Sequence, residues 1–302
     1  MKKKIKAQYL NIKSRIFFAY ATIFGKVRFK DKYGLKYYLW KDTRLRSSVF
    51  QEIRSDDTGV IIQVFDILRE LQKRKQNLVC FDVGAFMGVI TLAMASRLGP
   101  HDKVFSFEPT WPTYSKLLDN ISLNKYKIVT PKNLALSNSS KEAIINITKD
   151  PGQSYMLPED QVAKDWLVPD NSNYQEIVDT QEISVDTIDE FTKREKLHHI
   201  DILKIDAEGQ DLNVLRGSNK LLKSKTINYI ICEIEDAAAN EAIMSLLGSY
   251  DYDLFYIVRN GEFLVKDLND YPYQSYKKPL NVLAISPKAP AFVNGQGLNI
   301  QQ

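Results

Sequence analysis

Two carboxylates stand two residues apart where an apolar run ends. The run 200–205 is followed by Asp206, Ala207, Glu208 and Gly209. Such a pair fits three uses: a general base that removes the proton of a hydroxyl nucleophile, a ligand set for a divalent metal, or a cap on the next helix. A base is favoured over a metal, because oxygen-rich metal sites need further ligands and none can be assigned. The helix cap stays open, above all for Glu208.

A second motif, FDVGAFMG, begins at Phe81 and contains Asp82 at the end of another apolar run. Gly84 and Gly88 allow the backbone to turn tightly and to approach a ligand. The dinucleotide fingerprint G-x-G-x-x-G is not met, since only these two glycines are present. An acid two residues before the first glycine suits a ligand with an ammonium group, while the start of the next helix suits a carboxylate.

A third acid, Glu108, ends the next apolar run, about twenty residues after Gly88. An acid at this position can accept hydrogen bonds from both hydroxyls of a ribose. The alternative is an ordinary surface acid at a strand end. The order of the two motifs favours ribose binding.

The elements that position these acids alternate along the chain. Apolar runs predict strands at 78–83, 104–107, 128–136, 200–205 and 227–234, and helical patterns lie at 89–98, 112–124 and 210–222. Runs at 252–258 and 281–286 predict a closing pair of strands. The expected fold class is α/β, with a mostly parallel seven-stranded sheet, one reversed edge strand and helices on both faces.

The charge distribution suggests how the chain is divided. Residues 1–46 carry fourteen Lys or Arg against two Asp, although the net charge of the whole chain is only +4. We therefore expect a basic N-terminal arm at 1–50, a catalytic domain at 51–288 and a C-terminal tail at 289–302. A long insertion at 137–199 emerges at the ligand-binding end of the sheet, where long loops are usually functional or disordered.

The basic arm has two interpretations. Tyr9, Ile12, Ile16, Tyr20 and Ile23 recur at helical spacing, which predicts an amphipathic helix that docks on an anionic surface such as lipid headgroups or an acidic polysaccharide. The alternative is a solvated terminus. No RNA-reading motif accompanies the arm, so no nucleic acid is expected as a partner.

Cysteine usage indicates the compartment. Cys80 and Cys232 fall inside predicted buried strands, so we interpret them as core residues of a protein in a reducing environment. The expected location is the cytoplasm, with the arm offering a peripheral contact to the inner face of the membrane.

Together the motifs resemble the class I S-adenosylmethionine-dependent methyltransferases, and the finer pattern is similar to the FkbM family. The matching segments span residues 78–235 and are VCFDVGAFMGVITLAM, VFSFEPTWPTYSKLLDNISLN, NLALSN, VDTIDEF, DILKIDAEGQDLNVLRGSNKLL and IICEIE. The resemblance implies a Rossmann-like fold that binds S-adenosyl-L-methionine. It also implies that Asp82, Gly84 and Gly88 hold the methionyl part, that Glu108 holds the ribose, and that Ala135 borders the adenine.

Two further residues follow from the resemblance. Thr91 lies where a hydroxyl could meet the cofactor carboxylate. The family usually has Asn where this sequence has Phe86. That departure concerns the detail of cofactor or acceptor binding and leaves the class unaffected.

The predicted function is transfer of a methyl group to a hydroxyl. Asp206 and Glu208 are expected to face the reactive methyl, with Glu233 and Glu235 on the same rim as secondary candidates. Lys204 is expected to pair with a neighbouring acid and has no assigned catalytic role. A divalent metal is compatible with the acids but is not favoured.

The acceptor is less constrained than the reaction. The resemblance implies a small-molecule, sugar or polyketide hydroxyl, and the basic arm favours a sugar in a surface glycan or glycolipid precursor. Loop aromatics, Trp111, Tyr155, Trp166 and Tyr174, could stack on a sugar face or could only pin their loops. The alternatives are a methyltransferase of a natural-product hydroxyl or nitrogen, and a non-catalytic scaffold that binds the cofactor.

Overall fold

The computed structural model describes residues 19–20, 22–40, 55–74, 76–148, 154–156, 177–234, 237–257, 264–266, 280–293 and 299–300. The strands in these ranges are β1 Lys26–Lys30, β2 Lys36–Trp40, β3 Val79–Val83, β4 Lys103–Phe107, β5 Val129–Lys132, β6 Ala135–Leu136, β7 Lys141–Thr148, β8 Tyr155–Met156, β9 Ile177–Asp186, β10 Ile200–Ile205, β11 Ile227–Ile234, β12 Asp253–Ile257, β13 Leu264–Val265, β14 Leu280–Ile285, β15 Phe292–Val293 and β16 Asn299–Ile300. The helices are α1 Ser55–Gln72, α2 Val89–Ala95, α3 Trp111–Asn124, α4 Ile188–Arg194, α5 Asp211–Arg216, α6 Asn219–Ser224 and α7 Ala237–Gly248.

The main sheet has the strand order β13-β12-β14-β11-β10-β3-β4-β5. Strands β5, β4, β3, β10 and β11 pair in parallel, and β14 runs antiparallel to both β11 and β12. The two-residue strand β13 adds an antiparallel edge. The predicted mostly parallel seven-stranded sheet is therefore confirmed, with β14 as the reversed strand near one edge and β13 as an additional short strand.

The chain order reverses between β3 and β10, which are neighbours in the sheet. From β3 the chain proceeds outward through β4 and β5, whereas β10 leads outward on the other side to β11. Open α/β sheets bind ligands outside the carboxyl ends of the strands at such a switch point. The carboxyl ends of β3 and β10 are consequently the expected position of a ligand-binding site.

Both faces of the sheet are covered by helices, as predicted. One face packs against α1 and α2, and its core contains Ile61, Leu68 and Leu92 together with Cys80 and Ile202 from the strands. The opposite face packs against α4, α5, α6 and α7; its core includes Phe191, Leu215, Leu222 and Leu247 together with Phe81 and Leu203. Because both faces are buried, the central strands are continuous apolar runs.

The predicted strand at 128–136 and the predicted helix at 210–222 are each divided in the structure. β5 belongs to the main sheet, whereas β6 joins the separate sheet β6-β9-β7-β8 formed by the insertion. The Asn133 side chain lies at that division and donates to the backbone oxygens of Glu108 and Pro109, at 2.9 and 2.7 Å. The helix is interrupted after Arg216, where Gly217 packs so tightly on Ser137 that an added Cβ would lie 2.0 Å from the Ser137 oxygen.

A hairpin of β1 and β2 lies within the basic N-terminal segment. Leu35 and Leu39 on one of its faces are buried in the same core as α1 and α2. The hairpin is fixed to α3 by Asn120 Oδ1, which accepts from the Tyr38 amide at 2.7 Å, and by Asn124 Oδ1, which accepts from the Lys36 amide at 3.0 Å. Packing thus includes residues ahead of the predicted boundary at residue 51. Both predicted boundaries stay predictions.

The amphipathic helix predicted for the arm falls only partly within the described ranges. Tyr9, Ile12 and Ile16 lie outside them, whereas Tyr20 and Ile23 lie in a helical segment and are 54% and 71% exposed. None of the helices in the described part of the chain is both long and apolar enough to cross a membrane.

Candidate active site

The loops after β3 and β10 touch through their backbones. Gly84 has a φ of +73°, and a Cβ added to it would lie 1.7 Å from the backbone oxygen of Asp206. The Asp206 amide donates to the backbone oxygen of Val83 at 3.1 Å. Gly84 is therefore needed for loop-to-loop contact, and this contact brings Asp82 and Asp206 to one edge of the sheet.

The same loop contains two further residues with positive φ. Gly88, at +92°, precedes α2, and an added Cβ would lie 2.7 Å from Leu117 Cδ1. Phe86 has a φ of 49°, in the left-handed region that Asn tolerates better than a bulky side chain. This backbone geometry gives a physical reason for the Asn that the resembled family usually carries at this position.

Glu108 fixes this loop to the end of β4. Its Oε2 accepts from the Phe86 amide at 3.1 Å, and its Oε1 accepts from the amide and hydroxyl of Thr110 at 3.0 and 2.6 Å. Burial raises the pKa of Glu108 to about 7, against the lowering effect of these hydrogen bonds. A carboxylate has roughly four lone-pair directions, and the described residues use three of them.

Asp82 is fully buried at the end of β3. Its Oδ2 accepts from the Thr91 hydroxyl at 2.5 Å, while its Oδ1 has no hydrogen-bond donor among the described residues. Burial raises the pKa of Asp82, and Lys204 opposes that effect. Thr91, which the resemblance assigns to the cofactor carboxylate, is itself fully buried and directs its hydroxyl at Asp82.

Lys204 links the two acids. It is 5% exposed, and its Nζ lies 3.0 Å from Asp206 Oδ2 and 3.7 Å from Asp82 Oδ1. Burial alone would lower the pKa of Lys204, but the carboxylates of Asp206 and Asp82 outweigh it and hold that pKa above its usual value. The predicted pairing of Lys204 with a neighbouring acid is confirmed, and it involves two acids.

Glu233 lies beside Asp206. Ile205 of β10 pairs with Cys232 of β11, so the next residues of both strands are neighbours, and their side chains are hydrogen-bonded. Burial raises the pKa of Glu233 well above its usual value, and the charge of Asp206 and this hydrogen bond raise it further. Two carboxyl groups in contact cannot easily both ionise, and this repulsion adds to the effect of burial on the pKa of Glu233.

The remaining predicted acids have different positions. Glu208 is partly exposed and has a φ of 46°, which places it in a left-handed turn before α5. Glu235 lies outside the described residues. Asp211, which sequence reasoning did not select, is 5% exposed and accepts from the Ala207 amide at 3.4 Å. The position of Asp211 in the first turn of α5 is the feature of the sequence that could have identified this residue.

Ala135 and the insertion lie next to the Glu108 loop. Ala135 is 5% exposed, pairs with Val185 and packs in the core of the insertion sheet. Gln181 of β9 accepts from the Trp111 amide at 2.9 Å and donates to the backbone oxygen of Pro109 at 3.2 Å. The insertion sheet thereby supports the loop that carries Trp111, whose side chain is 57% exposed.

Metal binding is a second possible use of these acids. Among residues with described positions, no group of three or more His, Cys, Asp or Glu is arranged to hold a metal ion. The Asp82 Oδ1 atom, by contrast, has the Lys204 ammonium at 3.7 Å but no hydrogen-bond donor among the described residues, so a ligand ammonium group would complete its hydrogen bonding. The chemistry of this edge thus fits the amino group of S-adenosylmethionine.

A family comparison identifies the domain. Residues 82–254, more than half of the chain, match the family model described as the methyltransferase FkbM domain. The chain belongs to this family. The predicted resemblance and the prediction of a methyltransferase are thereby confirmed, and membership in the FkbM family implies use of S-adenosylmethionine.

Individual relatives match more distantly. Methyltransferase 1 of Beauveria bassiana is 28% identical over 141 residues, which cover 45% of this chain and 56% of that protein. The hexuronic acid methyltransferase AglP of Haloferax volcanii is 26% identical over 186 residues, which cover 60% of this chain and 66% of that protein. The chain thus spans about half to two thirds of the length of these two relatives.

Among solved structures, one methylase gives a partial alignment. The putative rRNA methylase of Clostridium thermocellum aligns with a TM-score of 0.42 at 10% identity, over 74% of this chain and 94% of that one. The FkbM domain assignment rests on the family match and on the strand order, which places Asp82 and Asp206 at the switch point.

Proposed function

We propose that the protein is an S-adenosylmethionine-dependent O-methyltransferase that transfers a methyl group to a hydroxyl, preferably of a sugar in a surface glycan or glycolipid precursor. One observation carries the proposal: a fully buried carboxylate oxygen, Asp82 Oδ1, lacks a donor among the described residues next to the Asp206–Glu233 carboxyl pair. One edge of the sheet thus offers an acceptor for a cationic amino group, beside carboxyl groups that can accept a proton.

Each acid has a role in this proposal. Asp82 holds the ammonium of the cofactor, and Glu108 accepts from a ribose hydroxyl through the lone pair that the described residues leave unused. When bound, S-adenosylmethionine supplies an electrophilic methyl group. Asp206 or Glu208 takes the proton of the acceptor hydroxyl as that oxygen becomes a nucleophile, since a protonated alcohol is a poor one. Ala135 borders the adenine, and Glu235 remains a secondary candidate outside the described residues.

The sugar preference has two supports. A relative of this chain is a hexuronic acid methyltransferase, at 26% identity. Trp111 presents an exposed ring beside the Glu108 loop and packs against Tyr114 with their ring centroids 5.9 Å apart. Aromatic rings with a fixed orientation suit sugar faces. Trp166 and Tyr174, named for the same role, lie outside the described residues.

A cytoplasmic location with peripheral contact to an anionic membrane completes the proposal. Exposed basic side chains, Arg28, Lys30, Lys32 and Lys36, follow the exposed apolar Ile23 and Phe24 along the chain. Basic residues near an anionic leaflet contribute about 1 kcal/mol each. Vesicle sedimentation should show weaker binding to anionic vesicles for an Ile23→Ser/Phe24→Ser variant and unchanged binding for Ile144→Ser, which is 60% exposed elsewhere. Equal binding by the wild-type protein and both variants would contradict the proposed membrane contact.

Mass spectrometry tests the reaction. Glycans and glycolipid precursors, uronic acids included, are incubated with protein and S-adenosylmethionine, with and without a chelator. A mass gain of one methylene on a sugar supports the proposal, and its loss with chelator would introduce a metal. A mass gain only on a natural-product hydroxyl or nitrogen would favour the alternative of a natural-product methyltransferase. Cofactor binding with no transfer to any acceptor would favour the non-catalytic scaffold.

A further inference from the structure

Lys204 occupies a position where the strand pattern predicts an apolar residue. It lies level with Asp82 on β3 and with Ile231 on β11. The residues two positions earlier on β3 and β10, Cys80 and Ile202, are both buried in the apolar core. A buried ammonium costs several kcal/mol unless anions offset it. The two carboxylates within 3.7 Å provide that offset.

We infer that Lys204 is a positioning residue that keeps Asp82 ionised and holds Asp82 and Asp206 in place, so that the cofactor pocket is assembled before the cofactor enters. The inference rests on the proposed function. It extends that function by coupling the carboxylate assigned to the cofactor ammonium with the carboxylate assigned to the acceptor proton.

The charges around Asp82 explain why a cation is needed. Lys204 and Asp206 face it from β10, and Glu108 faces it from the end of β4, while α2 contributes the uncharged Thr91. Glu233 of β11 adds a further acid near Lys204. Without Lys204, every charged group in this set would be an acid. Asp82 would then retain a proton at neutral pH, and a neutral carboxyl group binds an ammonium poorly.

The magnitude follows from the charge contact. An opposite charge within about 4–6 Å moves a carboxyl pKa by roughly 1–3 units, and each unit above the ambient pH corresponds to a tenfold loss for a ligand that needs the ionised form. In Lys204→Met, affinity for the cofactor product S-adenosylhomocysteine should therefore fall about tenfold or more near pH 7. The loss should shrink as the pH rises, because Asp82 then ionises without Lys204.

Binding calorimetry from about pH 6 to 9 tests this, with the ratio of variant to wild-type affinity as the readout. The ratio cancels the ionisation of Glu108, which both proteins share. Lys204→Arg keeps the cation and should keep the wild-type pH profile. Lys132→Met, which breaks the half-exposed pair with Glu195, is the matched control and should change nothing. A ratio for Lys204→Met that is constant across pH would indicate a merely structural role and would overturn the inference.

A second measurement covers the case in which Lys204→Met fails to fold. In Glu108→Gln, which retains Lys204, affinity should be flat over the same pH range, since Asp82 is already ionised. An affinity that rises about tenfold per pH unit would show that Asp82 takes up a proton despite Lys204, and would overturn the inference. Absence of binding by the wild-type protein would instead overturn the proposed function, and this inference with it.

Discussion

Replacement of Gly84 by Ala tests whether the site depends on loop-to-loop contact. The new Cβ would lie 1.7 Å from the Asp206 backbone oxygen, whereas real Cβ atoms stay at least 3.0 Å from such neighbours. The loops after β3 and β10 must then separate by more than 1 Å. That movement breaks the hydrogen bond between the Asp206 amide and Val83, worth about 0.5–1.5 kcal/mol.

Two further costs add to this loss. Overpacking against a rigid backbone costs about 1–3 kcal/mol, and an alanine in left-handed conformation costs roughly 1–2 kcal/mol. We expect Gly84→Ala to lower the free energy of unfolding by about 3–5 kcal/mol, and to weaken binding of S-adenosylhomocysteine because Asp82 and Asp206 move apart.

Gly34 provides the matched control. Its φ is +87°, and a Cβ added there would lie 3.6 Å from the nearest atom, Lys30 Cε. Gly34→Ala therefore carries the backbone strain alone, about 1–2 kcal/mol, without a clash. Urea denaturation of both variants isolates the contact. If Gly84→Ala proves no more destabilising than Gly34→Ala, the explanation given for Gly84 is wrong.

Three other substitutions have defined outcomes. The raised pKa of Glu108 means that the folded protein binds a proton more tightly than the unfolded chain. The free energy of unfolding should therefore fall by about 3 kcal/mol as the pH rises from about 4.5 to about 7. Glu108→Gln should abolish this fall, as measured by urea titrations at several pH values. Asn120→Ala removes bonds to Tyr38 and Met87, and should cost about 1–3 kcal/mol and raise amide exchange in the hairpin. Thr91→Val leaves Asp82 Oδ2 without the hydroxyl donor and should weaken S-adenosylhomocysteine binding with little change in fold by circular dichroism; unchanged binding would show that Thr91 has no influence on Asp82.

The strands and the acids at their ends could be predicted from the periodicity of the sequence. The strands β10 and β11 have the predicted limits, and Asp82 and Asp206 lie at neighbouring strand ends as the alternation of strands and helices implied. These features follow from continuous apolar runs, which only a doubly covered parallel sheet accommodates.

Contacts between residues far apart in the chain could not be predicted from the sequence. No pattern indicated that Gly84 meets the Asp206 backbone, that Lys204 reaches two acids, or that Glu233 bonds Asp206. The hairpin of β1 and β2 was missed for another reason. Its alternating side chains are mixed with many lysines, so the charge of the segment concealed the apolar face that includes Leu35 and Leu39.

The electrostatics of the site lead to one further consequence. Burial raises the pKa of Glu108 and of Glu233, so these two carboxyl groups resist ionisation, whereas Lys204 opposes the same effect of burial on Asp82. Lys204 is the cation that pairs with Asp82 and Asp206 in the described part of the chain. A carboxyl group whose folded pKa is raised stabilises the protein below its unfolded pKa and loses that contribution as pH rises. A ribose hydroxyl that donates to Glu108 favours the ionised form of that carboxyl group, so S-adenosylmethionine should raise the melting temperature most at the alkaline end, and its binding should release protons.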